Sequence, residues 1–212
     1  MSTLRTLSKF HSRLQGGGAR PNLFEVRLDA FPASALNSTP KATWGKTEQE
    51  DFSILCKAAN LPASNIASID VPFRGRTLKV AGDRTIDNWT VTIINDEDFR
   101  MRNAMEAWMN SIARLSNNTG ATNPDSYMVD AVVHQLGRGY SGNKHSKKNS
   151  DTAGDTKVTP LKSYKFIDIF PVAVSAIDLS YDSSDTIEEF TVEFAVQSYE
   201  SLSSDQTGVN LK

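Results

Sequence analysis

Residues 80–98 carry the sequence V-A-G-D-R-T-I-D-N-W-T-V-T-I-I-N-D-E-D, which decides the fold of this chain. Gly82-Asp83-Arg84 has the residue types of a turn. The next segment alternates polar residues with Trp89, Val91 and Ile93, the period-2 pattern of a half-buried strand. Residues 95–98 predict a helix N-cap followed by three acids in the first turn, where they favour the helix dipole. The stretch therefore predicts a connection from a sheet into a helix.

Apolar spacing predicts one helix and several strands in the rest of the chain. The helix is expected over 96–115, because one apolar stripe contains Met101, Met105, Trp108, Ile112 and Leu115. Strands are expected at 24–30, 52–58, 66–73, 77–81, 89–94, 127–133, 163–170, 177–181 and 187–199. Arg74-Gly75-Arg76 is the predicted turn between the third and fourth of these strands. Many short antiparallel strands with one helix indicate a closed or sandwiched β architecture.

Composition excludes several classes of protein. Cys56 is the only cysteine, so no intramolecular disulfide can form, and a reducing compartment is expected. Alternation places Cys56 on an inward strand face with Phe52 and Ile54, where a buried thiol should react slowly. Residues 1–14 contain charged residues and no continuous apolar run, so no secretory signal is expected, and no later segment is expected to span a membrane.

The net charge of −2 conceals strong segregation along the chain. Residues 1–20 contain four basic groups and no acid, and residues 21–137 contain 11 basic and 14 acidic groups. Residues 138–165 contain seven basic and two acidic groups, whereas 166–212 contain one basic and nine acidic groups. One interpretation is a set of solvated loops and tails. The other is a subunit whose oppositely charged ends meet head to tail, as in a ring.

No motif for catalysis, cofactor binding or metal binding is present. No histidine has a partner at ligand spacing; the three are His11, His134 and His145. Gly45-Lys46-Thr47 matches only the end of a P-loop, because Pro40 occupies the position of the first glycine. Glu188 and Glu189 are adjacent on a predicted strand and point to opposite faces. Lysines near residue 145 lack the interleaved aromatics that stack bases, so no specific nucleic-acid site is expected.

Four segments, in this order, resemble tail tube proteins of contractile-tailed, T-even-like bacteriophages. The central one is residues 80–98. The others are residues 19–26 (A-R-P-N-L-F-E-V), 56–63 (C-K-A-A-N-L-P-A) and 187–194 (I-E-E-F-T-V-E-F). The resemblance implies an antiparallel β-barrel or sandwich with one flanking α-helix. It also implies hexameric rings that stack into a tube, whose lumen conducts the viral genome through the host cell envelope.

The resemblance also implies partners and a location. Expected partners are further copies of the chain, the tail sheath protein, the tape measure protein, the baseplate tube initiator and the tail terminator. DNA is expected to pass through the lumen without a specific site. The protein is expected in the virion tail, after synthesis in the host cytoplasm, and neither an enzyme activity nor a cofactor is implied.

Domain limits and candidate contact residues follow from the composition, the alternation along the strands and the resemblance. We expect an N-terminal arm over 1–20, a single tube domain over 21–200 and a C-terminal tail over 201–212. Insertions are expected at 32–50, as an exposed segment, and at 138–159, as a hydrophilic loop. The candidate lumen-facing residues are Ser53, Lys57, Asp130 and His134. Asp83 and Arg84, in the predicted turn, are candidates for a subunit contact.

Two other interpretations remain open at this point. The nearer is a related tube module, either a baseplate tube initiator or the tube protein of a contractile secretion system. The farther is a different class: a β-barrel domain that binds a ligand or nucleic acid, or a hydrolase without a known motif. Ring or tube formation by the purified protein separates the first two from the third.

Overall fold

A computed structural model describes residues 7–14, 18–36, 42–137 and 160–203. The helices are α1 (Leu7–Arg13), α2 (Ala33–Leu36), α3 (Lys46–Leu55) and α4 (Arg100–Ile112). The strands are β1 (Phe24–Arg27), β2 (Cys56–Ala59), β3 (Ser64–Phe73), β4 (Arg76–Ile86), β5 (Trp89–Ile94), β6 (Val129–Leu136), β7 (Pro160–Val174) and β8 (Glu189–Ser203). The fold is mainly β, of the antiparallel barrel or sandwich class with a flanking helix, which confirms the predicted class. The predicted loop 138–159 lies outside the described residues.

The strands form two sheets. Six strands lie in the order β1-β6-β7-β8-β5-β2, and β3 and β4 form a separate two-stranded sheet. In the six-stranded sheet, Trp89 of β5 pairs with Phe194 of β8, and Ile93 pairs with Phe190. Trp89, Val91 and Ile93 are completely buried, so the predicted alternation in β5 is confirmed.

The chain divides into two compact units. One contains Met1–Glu25, Val133–Tyr164 and Ser201–Lys212; the other contains Val26–Val132 and Lys165–Glu200. In the first unit, the Gln135 side-chain amide donates to the carbonyl oxygens of Arg20 and Leu23, both at 2.7 Å. The second unit contains nearly all of the buried apolar side chains.

Aromatic rings form the centre of the second unit. The Trp89 ring lies 4.9 Å from Phe166 and 5.2 Å from Phe194, between ring centroids. Trp108 packs α4 against this group, 5.8 Å from Phe194, and its indole N–H donates to the Tyr127 carbonyl oxygen at 2.8 Å. Pairs of this kind add stabilisation beyond the burial of apolar area. Met101 and Met105 are also fully buried on α4, which confirms the first part of the predicted stripe.

The helix is shorter than predicted at both ends. It begins at Arg100, after Phe99 in a left-handed conformation with φ of 52°. The acids of residues 96–98 therefore precede the helix, and Asp96 accepts a hydrogen bond from the Arg100 backbone N–H at 3.0 Å. The helix ends at Ile112, and Leu115 is exposed. The stripe prediction failed at Leu115 because the chain has already turned there.

Residues 46–55 form α3, where the sequence predicted an exposed segment followed by a strand from residue 52. The Glu48 carboxylate accepts the Gly45 backbone N–H at 2.7 Å, a contact that begins a helix. Phe52 is fully buried, but Ile54 is exposed. The alternation of residues 52–56 therefore spans the end of a helix and the start of β2, and Ile54 does not share an inward face with Cys56.

The segment 32–50 is not an exposed insertion throughout. Ala35 of α2 and Ala42 are buried, and the Trp44 ring stacks on Phe31 at 4.5 Å between centroids. Aromatic packing therefore overrides the polar composition. Residues 177–181 were predicted as a strand, but they form part of an irregular segment between β7 and β8.

Candidate assembly surface

The hairpin of β3 and β4 is a highly exposed element in the described part of the chain. Nearly every residue of both strands is solvent-exposed. Arg74 and Gly75 connect the strands with positive φ angles of 45° and 81°. Two residues with positive φ make the type of turn that matches the twist of a hairpin, which confirms the predicted connection.

The two faces of this hairpin differ in chemistry. Ile69 pairs with Val80, and Val71 pairs with Leu78. Because side chains alternate along a strand and paired residues share a face, these four lie on one side together with Phe73. We call this set the hairpin apolar face: Ile69, Val71, Phe73, Leu78 and Val80. The opposite face contains Ser68 and the pair Asp70 and Lys79, whose charged atoms are 3.3 Å apart.

The hairpin apolar face is uncovered in the single chain. Phe73 and Leu78 are 66% and 62% exposed. An isolated two-stranded hairpin is marginally stable in water, and a contiguous exposed apolar patch marks a surface that another molecule covers. The arrangement is therefore suited to protein–protein contact.

The six-stranded sheet offers a second assembly feature at its edges. Its outer strands, β1 and β2, are only four residues long. The register of β2 against β5 also shifts between Cys56 and Ala58. Short, irregular outer strands limit uncontrolled pairing with other chains.

Asp83 and Arg84 lie within β4, so the predicted turn at residues 82–84 is wrong. The register shifts here: Ile66 pairs with Arg84, and Ser68 pairs with Ala81. One extra residue is therefore accommodated in β4, as in a bulge. A Cβ atom on Gly82 would lie 3.1 Å from the Ala67 carbonyl oxygen, so this glycine permits a close approach of the two strands.

Among the candidate lumen residues, the charged ones have charged partners within the chain. Lys57 forms an ion pair with Glu189. Asp130 contacts the Lys165 ammonium at 2.8 Å and accepts the Asp168 backbone N–H at 3.2 Å. The sequence analysis did not identify Glu189 as the partner of Lys57 or Lys165 as the partner of Asp130, because neither partner is near in sequence.

The other two candidates, Ser53 and His134, have different surroundings. Ser53 lies on α3 rather than on a strand, so the alternation that predicted its direction does not apply. His134 lies on β6, and its Nδ1 atom is 2.7 Å from the Oγ atom of Ser163, which is buried. The prediction required all four candidates to lie on strands, but Ser53 lies on a helix.

Cys56 is buried, as predicted, and burial raises the pKa of its thiol to about 12, with a smaller opposing effect of a hydrogen bond with the Ala58 backbone. Desolvation disfavours the thiolate, which is the nucleophilic form. In the described residues, no group of three potential metal ligands converges. No helix there is long and apolar enough to cross a membrane.

The buried thiol predicts a pH dependence of stability. In the unfolded chain the thiol has a pKa of about 8.5, so it loses its proton while the folded thiol retains it. The free energy of unfolding should therefore fall between about pH 9 and 12, by up to about 1.4 kcal/mol per pH unit from this group. Urea unfolding at several pH values across this range measures the free energy of unfolding. Cys56→Ala should lose this component, and an identical slope in both proteins would contradict the prediction.

Comparison with known proteins finds relatives that agree with one another. The family model described as "Phage tail tube protein" matches residues 19–202. The chain is 31% identical over 185 residues to the tail tube protein gp19 of Enterobacteria phage T4, covering 87% of this chain and 93% of that protein. The tube-terminating cap of the anti-feeding prophage has a TM-score of 0.52 at 14% identity, covering 88% of this chain and 91% of the cap chain.

A chain in the extended sheath–tube complex of an extracellular contractile injection system, PVC, gives a TM-score of 0.50 at 12% identity. That match covers 91% of this chain and 97% of the other. At such low identity, these two structural matches establish a shared fold.

Proposed function

Because this chain belongs to the phage tail tube protein family, it is a structural subunit of a phage tail tube, and we propose that it forms six-membered rings that stack. The number of six copies per ring is what the resemblance of this sequence to phage tail tube proteins implies. The lumen of the stacked rings would conduct the viral genome into the host cell.

The observation that carries this proposal is the uncovered hairpin apolar face. A lateral neighbour in a ring would bury the apolar side chains of this face, and the same contact would repeat around the ring. The polar face, with Asp70 and Lys79, would remain in contact with water. A heterologous contact of this kind closes into a ring when its rotation allows.

Ring closure would also pair the backbone groups at the open edges of the six-stranded sheet. The outer strands β1 and β2 are short, which limits uncontrolled pairing, and closing a sheet around a ring would remove their open edges altogether. Under this proposal, residues 21–200 act as one tube domain, with residues 1–20 as an arm and 201–212 as a tail. Asp83 and Arg84, exposed on β4, would then lie near a subunit contact.

We propose that the lumen surface includes Lys57, Asp130 and His134, with Ser53 nearby. Each phosphate neutralised by a free lysine or arginine would add salt-dependent affinity and slow the passage of DNA. The ion pairs of Lys57 with Glu189 and of Lys165 with Asp130 support a wall without unpaired cations at these positions. Such a wall would let the genome pass without holding it.

The remaining partners are also proposals. The sheath is supported by the fold similarity to a chain of a sheath–tube complex, and the tape measure protein, the tube initiator and the tail terminator by the family resemblance. The protein would be made in the host cytoplasm and reside in the virion tail. We propose no enzyme activity, because the family has a structural role.

Purified protein, examined by sedimentation velocity and negative-stain microscopy over a range of concentration and salt, tests the proposed assembly. We expect rings of six copies and, at higher concentration or with a tube initiator, stacked tubes. Rings that never stack, even with the initiator, would favour the role of an initiator. A monomer under every condition would contradict the proposal.

A further inference from the structure

The segment between β7 and β8, residues 175–188, is an acidic loop with exposed apolar side chains. Leu179 is 85% exposed, Ile187 is 76% exposed, and Tyr181 is fully exposed. The same segment contains four acids and no lysine or arginine: Asp178, Asp182, Asp185 and Glu188. We call residues 175–188 the acidic loop. Its combination of apolar and acidic groups suits a partner that is both apolar and basic.

Hydrogen bonds hold both ends of the acidic loop. At the start, the Arg102 guanidinium donates to the Ser175 carbonyl oxygen at 2.7 Å. At the end, the Asn95 backbone N–H donates to the Glu188 carbonyl oxygen at 2.9 Å, and the Asn95 side-chain amide donates to the Glu188 carboxylate at 3.1 Å. The apolar side chains are therefore presented from a segment with anchored ends, which lowers the ordering cost of binding.

Helix α1 has the complementary chemistry. Leu7 and Phe10 lie on one face of this helix, Leu14 directly after the helix continues the same spacing, and all three are exposed. The charged residues of this helix are Lys9 and Arg13, with no acid. A helix of seven residues is marginal alone in water, so docking its apolar face would stabilise it.

We propose that α1 of one copy docks on the acidic loop of a second copy, and that this contact joins successive rings. The inference rests on the proposed ring assembly. A tube needs one contact that closes each ring and another that joins rings, and the hairpin apolar face is assigned to the first. Opposite charge and exposed apolar side chains on the two surfaces favour the second copy as the occupant. Six such contacts per ring would act together, although each alone is weak.

Charge reversal tests this contact. The variant Lys9→Glu/Arg13→Glu and the variant Asp178→Lys/Asp182→Lys should each form rings, but the fraction of rings in tubes should fall at least tenfold. Combining both pairs of reversals in one chain should restore tubes, because the charges are again complementary. Negative-stain microscopy counts rings and tubes at equal protein concentration. Reversed variants that stack like the wild type, or a combined variant that does not recover, would overturn the inference.

Replacing an exposed apolar residue with serine provides a second test. Leu179→Ser should also block stacking, whereas Leu115→Ser should not, although Leu115, after α4, is even more exposed than Leu179. Equal effects of the two substitutions would overturn the inference. The Phe10→Ser variant tests whether α1 binds a membrane instead. If this variant stacks normally but no longer binds phosphatidylserine vesicles that the wild type binds, α1 is a membrane-binding helix and the inference is overturned. Wild-type protein that forms no rings would instead overturn the proposed function.

Discussion

Replacing Val71 with aspartate is expected to abolish ring assembly while leaving the folded monomer intact. Val71 lies at the centre of the hairpin apolar face, paired with Leu78 and between Ile69 and Phe73. Burying an unpaired carboxylate in an apolar contact is strongly unfavourable. In the monomer the Val71 side chain is 43% exposed, so the new charge remains in contact with water. We expect the protein concentration needed for assembly to rise at least 100-fold.

Sedimentation velocity measures this change, and thermal unfolding followed by circular dichroism checks the monomer. Ser68→Asp is the matched control, because it introduces the same charge on the opposite face of the hairpin, where Ser68 pairs with Ala81. The control should assemble like the wild type. Assembly of the Val71→Asp protein at wild-type concentrations would show that the hairpin apolar face is not the lateral contact.

Replacing Gly120 with alanine is expected to lower the free energy of unfolding by about 3 kcal/mol or more, because it forces overpacking against backbone. A Cβ atom at this position would lie 1.9 Å from the Ile112 carbonyl oxygen. The surrounding chain cannot shift freely, because Ala121 N–H donates to the Ser111 carbonyl oxygen at 3.0 Å and Arg114 N–H donates to that of Thr119 at 3.0 Å.

Urea unfolding of the monomer measures the effect. Gly45→Ala is the control, since the nearest atom to its new Cβ would be the Glu48 carboxylate oxygen at 3.2 Å, at the end of a flexible side chain. The control should cost less than about 1 kcal/mol, as is usual for exchanges of small residues at a helix N-cap. A loss for Gly120→Ala as small as that of the control would mean that the turn after α4 relaxes around the added methyl group.

The structure also shows where local patterns failed. The apolar alternation from Phe52 to Cys56 is compatible with a strand, yet Phe52 lies within helix α3, which starts where Glu48 caps the Gly45 backbone N–H. Gly82-Asp83-Arg84 has turn residues, but pairing with β3 holds the segment in a strand with a bulge. In both places a contact outside the predicted segment overrode its local preference.

The charged lumen candidates, Lys57 and Asp130, show the same limit of local sequence patterns. The sequence analysis identified Lys57 and Asp130 as candidate lumen-facing residues but did not identify the charged partner of either. In the structure Lys57 pairs with Glu189, 132 positions away, and Asp130 pairs with Lys165. Which charges meet depends on which strands are neighbours, and strand order is not encoded in local periodicity.

By itself, the sequence determined the strand β5, the turn of the hairpin, the buried start of the α4 stripe and the family. These features follow from residue spacing, because the geometry of one strand or helix fixes which side chains share a face. Only the tertiary structure decided that the hairpin apolar face stays uncovered while the β5 face is buried. Spacing identifies an apolar face, but coverage depends on strand pairing across the whole chain, and β3 and β4 pair only with each other among the described residues.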